Sequence, residues 1–182
     1  FIEKALGEKL EEDFSEFYET IEKLIKEKNF EDAKDALLEF ISNNSKNIKA
    51  IYLYLECLIE TVDQNEINEF IDSLDDEIKN DVEIKKIIKR LAIIKNNSIG
   101  PSLENLLEQY NKNPKDINLV LEISDNYFSN KKYEEAFNLL IEKYPKNKEK
   151  VKKKMLDFFE ALGGSHESTV IYRKKLSSIM FS

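Results

Sequence analysis

The sequence predicts an all-α solenoid of stacked helix pairs, and three observations carry that prediction. Two stretches, Phe30-Glu31-Asp32-Ala33 and Tyr133-Glu134-Glu135-Ala136, open helices in the same way after a short polar break, and their alanines lie 103 residues apart. Apolar residues recur at helical spacing along most of the chain, and no stretch reads as a strand. With 4 Gly, 3 Pro and 35% charged residues, the composition suits helices that each bury one stripe and solvate the rest.

The clearest unit runs from Asp116 to Asn147. Val120, Ile123 and Tyr127 mark a first helix, and Ser129-Asn130-Lys131-Lys132 breaks it. Ala136, Phe137, Leu140 and Ile141 mark a second, which Pro145 is expected to end. Counted from Ile117, Ser124 is the eighth residue and Ala136 the twentieth, the two places where paired helices touch backbone to backbone and need small side chains. That is the tetratricopeptide pattern of about 34 residues, and three such periods match the spacing of the two alanines.

The remaining elements follow in order. Phe14, Phe17, Ile21, Leu24 and Ile25 share one face of a helix that stops at Lys28-Asn29, and Ala33, Ala36, Leu37 and Phe40 line the next. Ile48 to Val62 and Glu66 to Leu74 form a degenerate pair around a turn at Asp63 to Asn65. Asp81 to Lys95 carries Ile84, Ile87, Ile88, Leu91 and Ile94, and Asn96 to Gly100 is expected to stop it. Pro101 suits the first turn of the following helix, with Leu103, Leu106, Leu107 and Tyr110, which pairs with its predecessor. Lys148 to Leu162, a Gly163-Gly164 stop and Glu167 to Phe181 close the chain. Val170, Leu176 and Ile179 are expected to seal the last helix against the one before it. The fold class is thus an all-α, tetratricopeptide-like helical-repeat solenoid of ten to eleven antiparallel helices. Residues 1–12 are a lead-in, 13–147 the degenerate repeats and 148–182 a capping helix pair. Because the first residue is Phe1, a piece of a longer protein is expected.

Charge narrows the function. The net charge is −8, which opposes nucleic-acid binding, since that needs a basic surface to displace counterions. The balance is uneven: the last 52 residues carry twelve Lys/Arg against seven Asp/Glu. No apolar run approaches membrane-spanning length. The single cysteine, Cys57, cannot form an internal disulfide, and its neighbours Glu56 and Glu60 disfavour a thiolate, so it reads as an inert core thiol. The single histidine, His166, stands at a helix start and reads as a cap. No phosphate loop, calcium loop or zinc spacing occurs, so no catalytic residue, cofactor or metal ligand is expected, and the chain does not read as an enzyme.

A helix-pair solenoid presents the first helix of each pair on its inner wall. The fifth positions of those helices are Tyr18, Tyr52 and Leu121, and the ninth are Glu22, Glu56 and Asp125. Carboxylates there would repel an acidic tail at close range, so an apolar or basic segment fits that wall better. At the other end, Arg173-Lys174-Lys175 makes one side of the last helix basic, and Met180 and Phe181 lie past its apolar stripe.

The end of the chain carries a more specific likeness. Val151 to Leu162, the Gly163-Gly164 stop and Val170 to Phe181, with Tyr172-Arg173-Lys174-Lys175-Leu176, resemble the close of thioredoxin-like co-chaperones of the YbbN or chaperedoxin type. Those proteins join an N-terminal thioredoxin domain to a C-terminal tetratricopeptide domain that ends in Tyr-Arg-Arg-Lys-Leu and a small apolar tail. Phe1 to Leu6 resembles the end of the thioredoxin domain's last helix. The resemblance implies a cytoplasmic co-chaperone whose repeats bind client proteins or a chaperone machine such as the chaperonin, with Arg173, Met180 and Phe181 as a docking face. Two other readings compete: a scaffold for a fixed complex without holdase activity, and a thiol oxidoreductase using Cys57.

Overall fold

The computed structural model describes residues 14–61 and 64–181. Among them lie eleven α-helices, one 3₁₀ turn and no strand, as the periodicity predicts. The helices are α1 (Ser15–Lys26), α2 (Phe30–Asn43), α3 (Ile48–Thr61), α4 (Gln64–Ser73), α5 (Asp76–Lys79), α6 (Val82–Ile99), α7 (Leu103–Lys112), α8 (Ile117–Ser129), α9 (Tyr133–Lys143), α10 (Lys148–Leu162) and α11 (Glu167–Met180). The lead-in expected over 1–12, with the likeness at Phe1 to Leu6, and the turn residue Asp63 lie outside the described residues. The chain divides into two compact units, Phe1–Asp63 and Gln64–Ser182.

In the first unit, α2 and α3 pack most closely. Ala33 and Ala50 are fully buried, along with Leu37, Ile51 and Leu55. Phe40 joins α2 to α1: its ring stacks on Phe17 at 4.2 Å and meets the edge of Phe14 at 4.8 Å. The turn between α1 and α2 places Lys28 at φ 61°. Lys28 N–H donates to the Ile25 carbonyl and Asn29 N–H to the Leu24 carbonyl. The turn between α8 and α9 repeats this geometry, with Lys131 at φ 59° and the same two bonds to Phe128 and Tyr127. A left-handed residue that closes the last carbonyls is a common helix ending. Its recurrence at the two matching sequence positions marks both turns as the same repeat joint.

The second unit is built around α8 and α9. Ser124 and Ala136, the two small positions, have no exposed surface, and their helices are the most closely packed pair of the unit. Five rings tie this pair to the end of the chain. Phe128 stacks on Phe158 at 4.2 Å, while Phe137 stacks on Phe159 at 5.2 Å and on Tyr172 at 4.7 Å. The Tyr172 hydroxyl donates to Asn138 Oδ1 at 2.8 Å, so the buried phenol has its partner.

Several local expectations shift. Helix α6 runs to Ile99 rather than stopping at Asn96, because Asn and Ser weaken a helix without breaking it, and Gly100-Pro101 then ends it. Pro101 stands before the cap, not in the first turn: Ser102 caps α7, its hydroxyl accepting from Asn105 N–H at 3.3 Å. Pro145 sits in the 3₁₀ turn Tyr144–Lys146, two residues past the end of α9 at Lys143. On α11 the buried side is Thr169, Tyr172 and Leu176, whereas Val170 is exposed. Leu176 is buried and Ile179 packs against the core, as expected; only Val170 is displaced, by Thr169 one residue earlier, about 100° away around the helix.

The largest correction concerns α6. It packs little on its expected partner α7 and lies instead against α8 and, most extensively, α10. Ile84, Ile87 and Leu91 are buried, and Ile93 joins the main core. Lys89 reaches from α6 to Asp157 of α10 at 2.9 Å and to Glu160 at 2.5 Å. An 18-residue helix is about 27 Å long, enough to span two neighbouring helices. Since α8 and α10 are the first helices of their pairs, α6 occupies the side of this unit where a repeat domain would hold a peptide.

Candidate functional site

The expected inner-wall residues fall in both units. In the first, the Tyr18 hydroxyl donates to Asn47 Oδ1 at 2.7 Å, and Lys49 Nζ sits 4.0 Å from the Tyr18 ring centre. Lys49 also reaches Glu22 at 3.3 Å. Tyr52 and Glu56 bond to each other along α3 at 2.7 Å. These four side chains therefore make contacts within their unit: Tyr18 and Glu22 brace α1 against the start of α3.

In the second unit, Leu121 is half-buried and packs on the core. Asp125 is gripped by Lys154 of α10, with Nζ 2.9 and 2.7 Å from its two carboxylate oxygens. Burial raises its pKa, Lys154 pulls it back, and Asp157 pushes it up again. Asp125 borders a cleft of about 310 Å³ whose other walls include Asn96, Asn97, Gly100 and Leu106. The expectation of bare carboxylates thus needs correction for Glu22 and Asp125, each of which has a lysine from another helix. Paired charges repel an approaching anion far less than free ones.

Cys57 is 1% exposed and its thiol is pushed up to about 11 by burial, with Glu56 and Glu60 adding to the shift and Lys34 opposing it. At neutral pH almost none of it is thiolate, the reactive form. We predict that a maleimide probe leaves Cys57 unlabelled in native buffer on the timescale that labels it fully in denaturant. Fast native labelling would revive the thiol reading. His166 caps α11, its Nδ1 accepting from Ser168 N–H at 3.2 Å.

The end of α11 presents the third set. Met180 is 37% and Phe181 86% exposed. Arg173, Lys174 and Lys175 are exposed on the same helix. The Arg173 guanidinium lies over the Phe159 ring at 5.4 Å, and the Lys175 ammonium over Tyr172 at 4.4 Å. Arg173 also borders a groove of about 440 Å³ between α6, α10 and α11. Its other lining residues include Val82, Lys85 and Leu156, which sequence reasoning passed over. Their signal was available: Val82 and Leu156 are apolar residues outside the buried stripes of their helices.

The tetratricopeptide repeat family model matches residues 96–181. The fold is tetratricopeptide-like. The matched stretch covers α7 to α11. Tetratricopeptide domains are protein-interaction modules and generally not catalytic. Among solved structures, the chain is similar to a domain of protein VP0806, of unknown function, from Vibrio parahaemolyticus RIMD 2210633. The identity is 23% and the TM-score 0.42, over 89% of this chain and 96% of that one. No curated protein matches the chain. No described helix of this tetratricopeptide-like protein is long and apolar enough to cross a membrane.

Proposed function

We propose that this tetratricopeptide-like protein is the binding module of a co-chaperone, docking on unfolding clients or on a chaperone machine such as the chaperonin through the free side of α11. The observation that carries the reading is the exposure of Phe181, 86%, beside Met180 and the basic run Arg173 to Lys175, on a helix whose opposite side is sealed by Tyr172 and Leu176. A large exposed aromatic at the end of a well-anchored helix favours an interaction surface, because it adds nothing to the core and leaves apolar area in water. The likeness of Tyr172-Arg173-Lys174-Lys175-Leu176 to the close of thioredoxin-like co-chaperones supports the same reading. Tyr172 and Leu176 serve the core, and the three cations between them face solvent. A cytoplasmic setting is part of the proposal, and the free, buried thiol of Cys57 suits it.

Deleting residues 178–182 tests this. We expect binding to purified chaperonin, or to a chemically unfolded client, to weaken by at least about tenfold, as loss of an aromatic anchor does. Helicity and melting temperature should stay nearly unchanged. A truncated protein that unfolds, or one that binds as before, removes the docking role from this end of the chain.

A further inference from the structure

We infer that the groove between α6, α10 and α11 binds an acidic peptide segment that carries an apolar side chain. The inference rests on the protein-binding reading only in taking the ligand to be a peptide. Its floor is apolar and open: Val82 is 66% and Leu156 48% exposed, and Phe159 lies beneath. Its rim is cationic, with Lys85 and Lys86 on α6 and Arg173 on α11. Lys86 is paired with Glu83, and the one carboxylate of the lining, Glu160, is already held by Lys89. Lys85 and Arg173 have no carboxylate partner among the described residues. Two uncommitted cations therefore flank an apolar floor, in a protein whose net charge is −8.

That combination selects a ligand. A basic peptide would be repelled at the rim, and a purely apolar one would leave both cations without a partner. An acidic segment pairs them while its apolar side chain covers Val82 and Leu156. Arg173 is already oriented by its contact with Phe159, so less side-chain freedom is lost when a carboxylate binds it. The volume, about 440 Å³, lies within the roughly 300–1,000 Å³ typical of ligand pockets. At the edge of the groove Gly163 turns the backbone at φ +83°, and a side chain added there would meet the Lys86 chain at 3.3 Å.

The test is an anisotropy titration of the whole protein with a fluorescein-labelled, end-blocked peptide, Glu-Glu-Glu-Leu-Phe-Glu-Glu-Glu. Saturable binding is expected, weakening as salt rises. It should be lost when lysines replace the glutamates. Lys85→Glu, Arg173→Glu and Leu156→Ser should each weaken it by about tenfold or more, whereas Lys112→Glu on α7 should not. If Arg173→Glu lowers the melting temperature, Lys85→Glu carries the test, since its side chain is exposed and anchors nothing described. Absence of saturable binding, or equal binding by Lys85→Glu and Leu156→Ser, overturns the proposal. So does a concentration-dependent dimer that Leu156→Ser abolishes, because the occupant would then be a second copy. No chaperone enters this titration, so its failure leaves the Phe181 reading standing, and failure of chaperone binding leaves the groove standing.

Discussion

Phe137→Ala is expected to cost about 3–5 kcal/mol of stability, the range for removing a fully buried aromatic and leaving a cavity. Phe137 has no exposed surface and touches Phe158, Phe159 and Tyr172 through ring contacts at 5.7, 5.2 and 4.7 Å. Those rings belong to α10 and α11, so the loss loosens the joint between the α8–α9 pair and the end of the chain. Set against a typical total of about 5–15 kcal/mol, such a loss leaves the second unit partly unfolded near physiological temperature. Urea melts followed by circular dichroism measure it. A loss below about 1 kcal/mol would mean that the ring cluster does not hold α11 in place.

Ala136→Leu is expected to cost about 1–3 kcal/mol by overpacking. Ala136 is fully buried on α9, which packs more closely on α8 than any other two helices of this unit pack, and Ser124 of α8 is fully buried too. The larger side chain cannot leave that contact without pushing the helices apart. The control is Glu135→Leu, the same new side chain one residue earlier at an exposed position. It should melt within error of the parent. Equal melting of Ala136→Leu and the parent would contradict the repeat register.

What the sequence disclosed was mostly local. The turns at Lys28 and Lys131 and the small residues Ala33, Ser124 and Ala136 depend on neighbours a few residues away, so their pattern can be read directly. The course of α6 could not be read. Ile84, Ile87 and Leu91 show that one stripe is buried, but not which helix buries it, and the choice of α8 and α10 over α7 is made by distant partners such as Asp157. The same limit applied to charge. Glu22 and Asp125 were legible as ninth positions of their helices, but their cations, Lys49 and Lys154, lie 27 and 29 residues away in sequence. On α11, Val170 is more apolar than Thr169, yet Thr169 is the buried one. Helical phase, set by Tyr172 and Leu176, overrides the hydrophobicity of a single residue.

Two features together define how this protein would bind others: α6 fills the inner side of the second unit, and the free side of α11 faces solvent. Hydrogen exchange on the protein, with and without a saturating unfolded client, separates the two surfaces in one experiment. Added protection is predicted in α11, across Glu167 to Phe181, with α6 and α8 unchanged. Added protection in α8 together with lost protection in α6 would contradict this, because the client would then have displaced α6 and taken its place.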